Sequence, residues 1–151
     1  MRGMKIAIAS DHAALDLKSE LAAWLAKQGH QVEDLGPHSP ESVDYPDYGY
    51  RLAQVIASGG ADRGVALCGT GIGISIAVNR NPAVRCAVVS EPVSARLTRL
   101  HNDANVIAMG ERVIGIEVAK ACLDAFLRTE FEGGRHSRRV DKLSKITQDF
   151  V

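Results

Sequence analysis

Cys68 heads a glycine-rich stretch, Cys68-Gly69-Thr70-Gly71-Ile72-Gly73-Ile74-Ser75. That order of residue types allows two kinds of chemistry in one place. An apolar, partly β-branched run at 64–67 precedes it, and an apolar, helix-like stretch at 74–78 follows. The pattern reads as buried strand, tight loop and helix N-terminus. Such a junction turns several backbone N–H groups toward one spot, with the positive end of a helix dipole behind them. An anion, or an oxygen becoming one, is stabilised there. The same field favours the reactive thiolate of a cysteine at the lip of the loop. The stretch therefore offers a base or nucleophile beside an oxyanion hole. Two nucleotide-binding patterns are absent: G-x-G-x-x-G would need glycine where Ile74 stands, and the phosphate loop would need a lysine. The competing reading is a strand-end cysteine that packs as a small hydrophobe.

A second group lies near the end of the chain. Arg135 and Arg139 are four residues apart, so on a helix they share a face, and Arg138 points elsewhere. Paired guanidinium groups suit a phosphate, which accepts paired hydrogen bonds from each. A solvated cationic face is the alternative. The tail carries only Val140, Leu143, Ile146 and Phe150 as an apolar stripe, too little to stand alone. It needs a surface to pack on, such as another subunit.

The elements that would position these groups can be read from the rest of the chain. At 151 residues the protein is expected to form one domain, 1–151, with a core of its own. Eighteen basic and eighteen acidic residues cancel, so no global field argues for nucleic acid or a membrane surface. Cys68, Cys86 and Cys122 are odd in number and lack C-x-x-C spacing, which fits a reducing compartment better than a disulfide framework or zinc site. No apolar run approaches the roughly 20 residues of a membrane span. These features predict a cytoplasmic protein.

Lys5–Ser10 reads as a first buried strand, and Leu17, Leu21, Trp24 and Leu25 mark one face of a helix that stops at Gly29. A short second strand is expected at 31–35, then an irregular stretch at 36–46, with Asp47 capping a helix to about Ser58. The central strand and glycine loop follow. A fourth strand is expected at 85–89, a helix opened by Ser90-Glu91-Pro92, and a fifth strand at 105–109. A periodic helix at 116–127 and a polar last helix at about 136–148 complete the chain. Strands alternating with helices imply a parallel sheet covered on both faces. Sites in such folds lie beyond the carboxyl ends of the strands. Those ends carry Asp11-His12, Cys68 with its glycines, Ser90-Glu91 and Gly110-Glu111-Arg112. His30 and His38 fall in no motif and are expected at the surface, whereas Cys86, Cys122 and Trp24 are expected in the core.

Taken together, the blocks Ser10-Asp11-His12, VDYP at 43–46, CGTGIGIS at 68–75, SEPVSA at 90–95 with HNDANV at 101–106, and EGGRH at 132–136 with Arg139-Val140 resemble the type B ribose-5-phosphate isomerases. That family also contains galactose-6-phosphate and allose-6-phosphate isomerases. The resemblance implies a Rossmann-like three-layer α/β/α sandwich with a five-stranded parallel sheet, its C-terminal helix packing on a partner subunit. It implies an aldose–ketose isomerase acting through an enediolate, with neither metal nor organic cofactor. Cys68 matches the family's cysteine base, and the N–H groups of Gly69, Gly71 and Gly73 with the Thr70 hydroxyl match its anion hole. Some members carry a glutamate in the loop instead; here that position is Ile74, which puts the chain in the cysteine branch. His101 matches the residue assigned to opening the sugar ring, a step that suits an imidazole near neutral pH. Asp11 and Asn102 match positions that contact or orient sugar hydroxyls, and Tyr45 borders the pocket. His12, Arg135 and Arg139 match the phosphate set, with Arg112 a weaker member. The implied assembly is a homodimer with its site between subunits, or a tetramer by further pairing. His136 could serve as a phosphate ligand or as the cap of the last helix.

Three other functions fit parts of the pattern. A six-carbon sugar phosphate would lengthen the pocket by one carbon, a difference worth only ~1–3 kcal/mol in discrimination. A non-catalytic nucleotide or sugar-phosphate binding module explains the glycines and arginines but leaves Cys68 and His101 idle. A cysteine hydrolase would use both residues and would pass through a covalent intermediate.

Overall fold

The computed structural model describes residues 2–151. The elements run β1 (Lys5–Ser10), α1 (Leu15–Lys27), β2 (Gln31–Asp34), α2 (Tyr45–Ala57), β3 (Arg63–Cys68), α3 (Ile72–Val78), β4 (Cys86–Val88), α4 (Pro92–Asn102), β5 (Val106–Gly110), α5 (Ile116–Arg128) and α6 (Arg135–Leu143). The five strands form one parallel sheet in the order β2-β1-β3-β5-β4.

The central strands alternate large and small side chains, and this alternation sorts the helices. Ile6, Ile8, Val65, Leu67, Ile107 and Met109 face a core shared with α1, α5 and Ala95 of α4. Ala7, Ala9, Ala66, Cys68, Val106 and Ala108 face the other way, toward α2 and α3. Small residues let those two helices lie close to the sheet and to each other. A Cβ on Gly49 of α2 would sit 2.9 Å from that of Ala77 on α3. Cys68 belongs to this small-residue face, which brings its sulfur under the start of α3.

Several bounds differ from those expected. α2 begins at Tyr45 rather than after Asp47, because Pro46 fits the first helical turn and Asp47 lies within it. α6 ends at Leu143, with a short 3-10 turn at Gln148–Phe150, since Val140 is the one apolar residue of its stripe that is buried. That helix packs His136 and Val140 against α4 of its own chain and leaves Leu143, Ile146 and Phe150 exposed. His30 is not at the surface. It is 6% exposed, and its Nδ1 accepts the Met4 N–H at 3.1 Å. No helix among the described residues is long and apolar enough to cross a membrane.

Candidate active site

β1 is the strand from which the chain crosses to opposite sides, to β2 on one flank and β3 on the other. Between the carboxyl ends of β1 and β3 a crevice is therefore left open. Asp11 and Cys68 mark its two sides. Asp11 caps a turn at His12–Ala14, its Oδ1 accepting the Ala13 N–H at 2.9 Å. Cys68 is 5% exposed, and its Sγ accepts the Gly71 N–H at 3.1 Å.

The glycine loop is held by backbone rather than by side chains. Gly71 has φ of 81°, in the left-handed region, and a Cβ there would lie 2.8 Å from the Met109 carbonyl carbon. A Cβ on Gly110 would lie 2.4 Å from the Thr70 backbone. The loops after β3 and β5 thus interlock, and two further bonds fasten them: Glu111 N–H to Cys68 O and Arg112 N–H to Gly69 O, both 3.0 Å. This wrapping lays the Arg112 guanidinium over Gly69, 3.4 Å from where a Cβ would be. Glu111 turns the other way, and its Oε1 accepts the Leu17 N–H at 2.9 Å, fixing the start of α1. Glu111 thus anchors α1 rather than facing the site, a role that its place at a strand end does not reveal.

Tyr45 reaches the same loop by a chain of local contacts. The exposed His12 accepts the Val43 N–H on Nδ1 at 3.1 Å, which pins the segment before α2 to the end of β1. The Tyr45 ring then covers Gly73, where a Cβ would come within 2.7 Å of it. Thr70 Oγ1 accepts the Ile72 N–H at 3.1 Å, while the Gly69 and Thr70 N–H groups have no acceptor among the described residues. The carboxyl edge therefore gathers Asp11, His12, Tyr45, Cys68, Gly69, Thr70, Gly71, Gly73 and Arg112. It presents a sulfur, unpaired amides and a cation to the same space.

His101, Asn102 and Arg139 are elsewhere. They line a cleft of about 210 Å³ with His136, Val140 and Leu143. α4 ends just before β5 begins, whereas Cys68 pairs with Gly110 at the far end of β5. At about 3.3 Å per residue, the length of β5 alone separates the two groups by roughly 13 Å. Arg135 is exposed at the start of α6 and does not line that cleft. The two sets of expected site residues therefore occupy opposite edges of the sheet. Helix direction carried the signal, since a helix that follows a parallel strand returns to the amino edge.

The amino edge has its own scaffold. Arg99 is buried, with Nη1 donating to Asp103 Oδ1 at 2.8 Å and Ala104 O at 2.7 Å, and Nε donating to Thr129 O at 3.0 Å. Asp103 takes a left-handed φ of 47° to end α4 and also accepts from Arg85. The cap reading of His136 is overturned. Gly134 holds the N-cap position, and His136 is buried with its ring stacked on His101. Burial pushes the Cys86 and Cys122 thiols up to about 12 and about 11, so both stay protonated at neutral pH. A groove of about 640 Å³ between α2 and the end of α3 contains none of the expected site residues.

The profile of the Ribose/Galactose Isomerase family matches residues 6–143. Ribose-5-phosphate isomerase B of Escherichia coli strain K12 is 48% identical over 144 residues, covering 95% of this chain and 97% of its own. A Thermotoga maritima ribose 5-phosphate isomerase structure superposes with a TM-score of 0.94 at 50% identity, covering 96% of this chain and all of that one. The Clostridium thermocellum ribose-5-phosphate isomerase B structure gives 0.93 at 51% identity, covering 95% and 97% of the two chains.

Proposed function

The chain belongs to the ribose/galactose isomerase family, and on that premise we propose that it interconverts ribose 5-phosphate and ribulose 5-phosphate. The observation that carries this reading is Cys68 Sγ held at 3.1 Å by the Gly71 amide, in a loop whose Gly69 and Thr70 amides have no acceptor among the described residues. In the open-chain aldose, Cys68 removes the proton from C2. The electron pair moves into a C1–C2 double bond, and charge collects on O1. The Gly69 and Thr70 amides, with the Gly73 amide in the first turn of α3, meet that charge as it forms. The O2 proton then passes to O1, and return of the carbon-bound proton from Cys68 to C1, as C2=O forms, gives the ketose. No electrons leave the substrate. Asp11 is placed to orient hydroxyls, and His12 with Arg112 supplies one side of a phosphate or polyol subsite.

Before any of this, the furanose must open. The C1–O4 bond breaks, O4 gains a proton and the anomeric O1 loses one. His101 is the group assigned to that exchange, and Asn102, Arg135 and Arg139 complete sugar and phosphate binding. Because His101 lies on the amino edge, the complete site is assembled from the carboxyl edge of one copy and the amino edge of a second. Exposed Tyr45, Ile72 and Ile76 beside the glycine loop form an apolar surface that supports such pairing. A homodimer is the smallest assembly that completes both sites.

A coupled assay for ribulose 5-phosphate formation tests the reading. Wild-type protein is expected to turn over ribose 5-phosphate, and Cys68→Ala to lose on the order of 10²- to 10⁴-fold in kcat while retaining substrate binding. A Cys68→Ala enzyme with full turnover would remove the sulfur from the mechanism. Higher kcat/KM for allose 6-phosphate or galactose 6-phosphate would move the assignment to six-carbon sugars.

A further inference from the structure

The amino-edge cleft contains two imidazoles, and the reaction just described uses one. His101 lies in the last turn of α4 and His136 in the first turn of α6. Their rings stack with centroids 4.6 Å apart and planes 23° from parallel. His136 is 6% exposed, and its buried Nε2 has no hydrogen-bond partner among the described residues. The nearest carboxylate, Glu132 Oε2, is 3.9 Å away. A buried polar side chain left unpaired next to a reacting group is costly and calls for an explanation.

Metal binding does not provide one. Ligand atoms of His101, Glu132 and His136 lie within 4.8 Å of one another. An imidazole lone pair lies in the ring plane, however, and two nearly parallel planes cannot both direct a lone pair at one ion about 2.1 Å away. Face-to-face rings do not hydrogen-bond to each other either, so no proton passes directly between them. What a stacked ring provides is a fixed orientation for its neighbour. His101 is half-buried where the chain leaves α4, one residue from Asn102 and two from the left-handed Asp103. With one face covered by His136, its edge is held toward the cleft. Proton delivery to a ring oxygen requires that edge.

We propose that His136 is a positioning residue for sugar-ring opening, its buried imidazole clamping the His101 ring by stacking. This inference rests on the isomerase reading and on His101 as the ring-opening group.

Two readouts separate the roles. Ribose 5-phosphate is closed through O4 and must be opened. Ribulose 5-phosphate has its C5 oxygen esterified and cannot form the five-membered ring, so its enolisation bypasses opening. Aldose-to-ketose turnover therefore needs His101, whereas solvent-deuterium incorporation at C1 of ribulose 5-phosphate needs only Cys68 and the amides. His136→Ala is expected to lower aldose turnover about 10- to 100-fold, the range for a misaligned catalytic group, with deuterium incorporation within about twofold of wild type. His136→Phe keeps a ring face without nitrogens and is expected to restore aldose turnover to within about threefold of wild type. Equal losses in both readouts, no loss in either, or no rescue by phenylalanine would each overturn the proposal. A wild-type protein showing neither turnover nor incorporation would instead sink the isomerase reading itself.

Discussion

The carboxyl and amino edges of the sheet are built by different means. At the carboxyl edge the backbone does the positioning: Gly71 and Gly110 let two loops pass through each other's space, and the groups on offer are amides. At the amino edge side chains do it: a buried arginine closes the end of α4, and two imidazoles stack. The division fits the chemistry assigned to each. Charge developing on an enediolate oxygen is best met by donors that need no reorganisation, and backbone supplies the stiffest ones. Ring opening and phosphate capture need titratable or long charged groups, which only side chains provide. The carboxyl edge is therefore predicted to fail through geometry, and the amino edge residue by residue.

The sharpest way to break this comparison is to ask whether the two edges serve one site across two copies. Cys68→Ala and His101→Asn should each be nearly inactive on ribose 5-phosphate. Mixed under conditions that exchange subunits, they form hybrids with one doubly damaged and one intact site. Random exchange of a symmetric dimer then recovers about a quarter of wild-type activity. A mixture as inactive as its components would mean that each site is completed within one chain.

Next in size is the effect of crowding the interlocked loops. Gly110→Ala places a methyl 2.4 Å from the Thr70 backbone, which has no flexible atom to give way. The glycine loop must shift, with kcat falling about 100-fold for displacement on the order of 1 Å and stability falling by about 1–3 kcal/mol. Gly115→Ala is the control: its φ is −84° and nothing lies within 4 Å of the added methyl. Kinetics and thermal unfolding of the pair should differ sharply. Matching behaviour would mean that the loops tolerate separation.

At the amino edge, Arg139→Ala should raise KM at least about tenfold with little change in kcat, the loss of one charge-assisted bond worth ~1.5–3 kcal/mol. Arg138→Ala on the adjacent face should leave both constants alone. An unchanged KM for Arg139→Ala would take that residue out of the phosphate set.

The two edges also differed in how readily the sequence revealed them. β1 is legible to the residue and β3 to within one residue at its start, because their apolar runs end abruptly at Asp11 and Gly69. The glycine loop declared its chemistry through residue types alone. Strand order did not, since β5 enters between β3 and β4 through pairings remote in sequence. The separation of His101 from Cys68 was implicit in helix direction, yet it is hidden in a reading that groups residues by motif. The His101–His136 stack left no periodic trace. It depends on the turn through Gly133 and Gly134, both at positive φ, that brings α6 back across the end of α4.

His30 shows the same blindness and yields the smallest effect. It falls in no motif, but its burial is what the fold needs from it: Nδ1 accepts the Met4 N–H ahead of β1, and Nε2 is enclosed without a partner among the described residues. Burial, with a smaller contribution from Arg128, lowers its pKa below the ordinary 6.5. The unfolded chain then binds the proton more readily than the folded one. Stability is full above pH 6.5 and declines as pH falls from there toward the lower folded-state value. Thermal unfolding of wild type should therefore show a falling midpoint between pH 7.5 and 5.5. His30→Gln, which keeps an acceptor but cannot titrate, should start lower at pH 7.5 and fall less steeply. Parallel slopes in the two proteins would place the acid sensitivity elsewhere. A shallower slope in the variant would show that a histidine outside the reaction is held neutral by its own burial between the starts of β1 and β2.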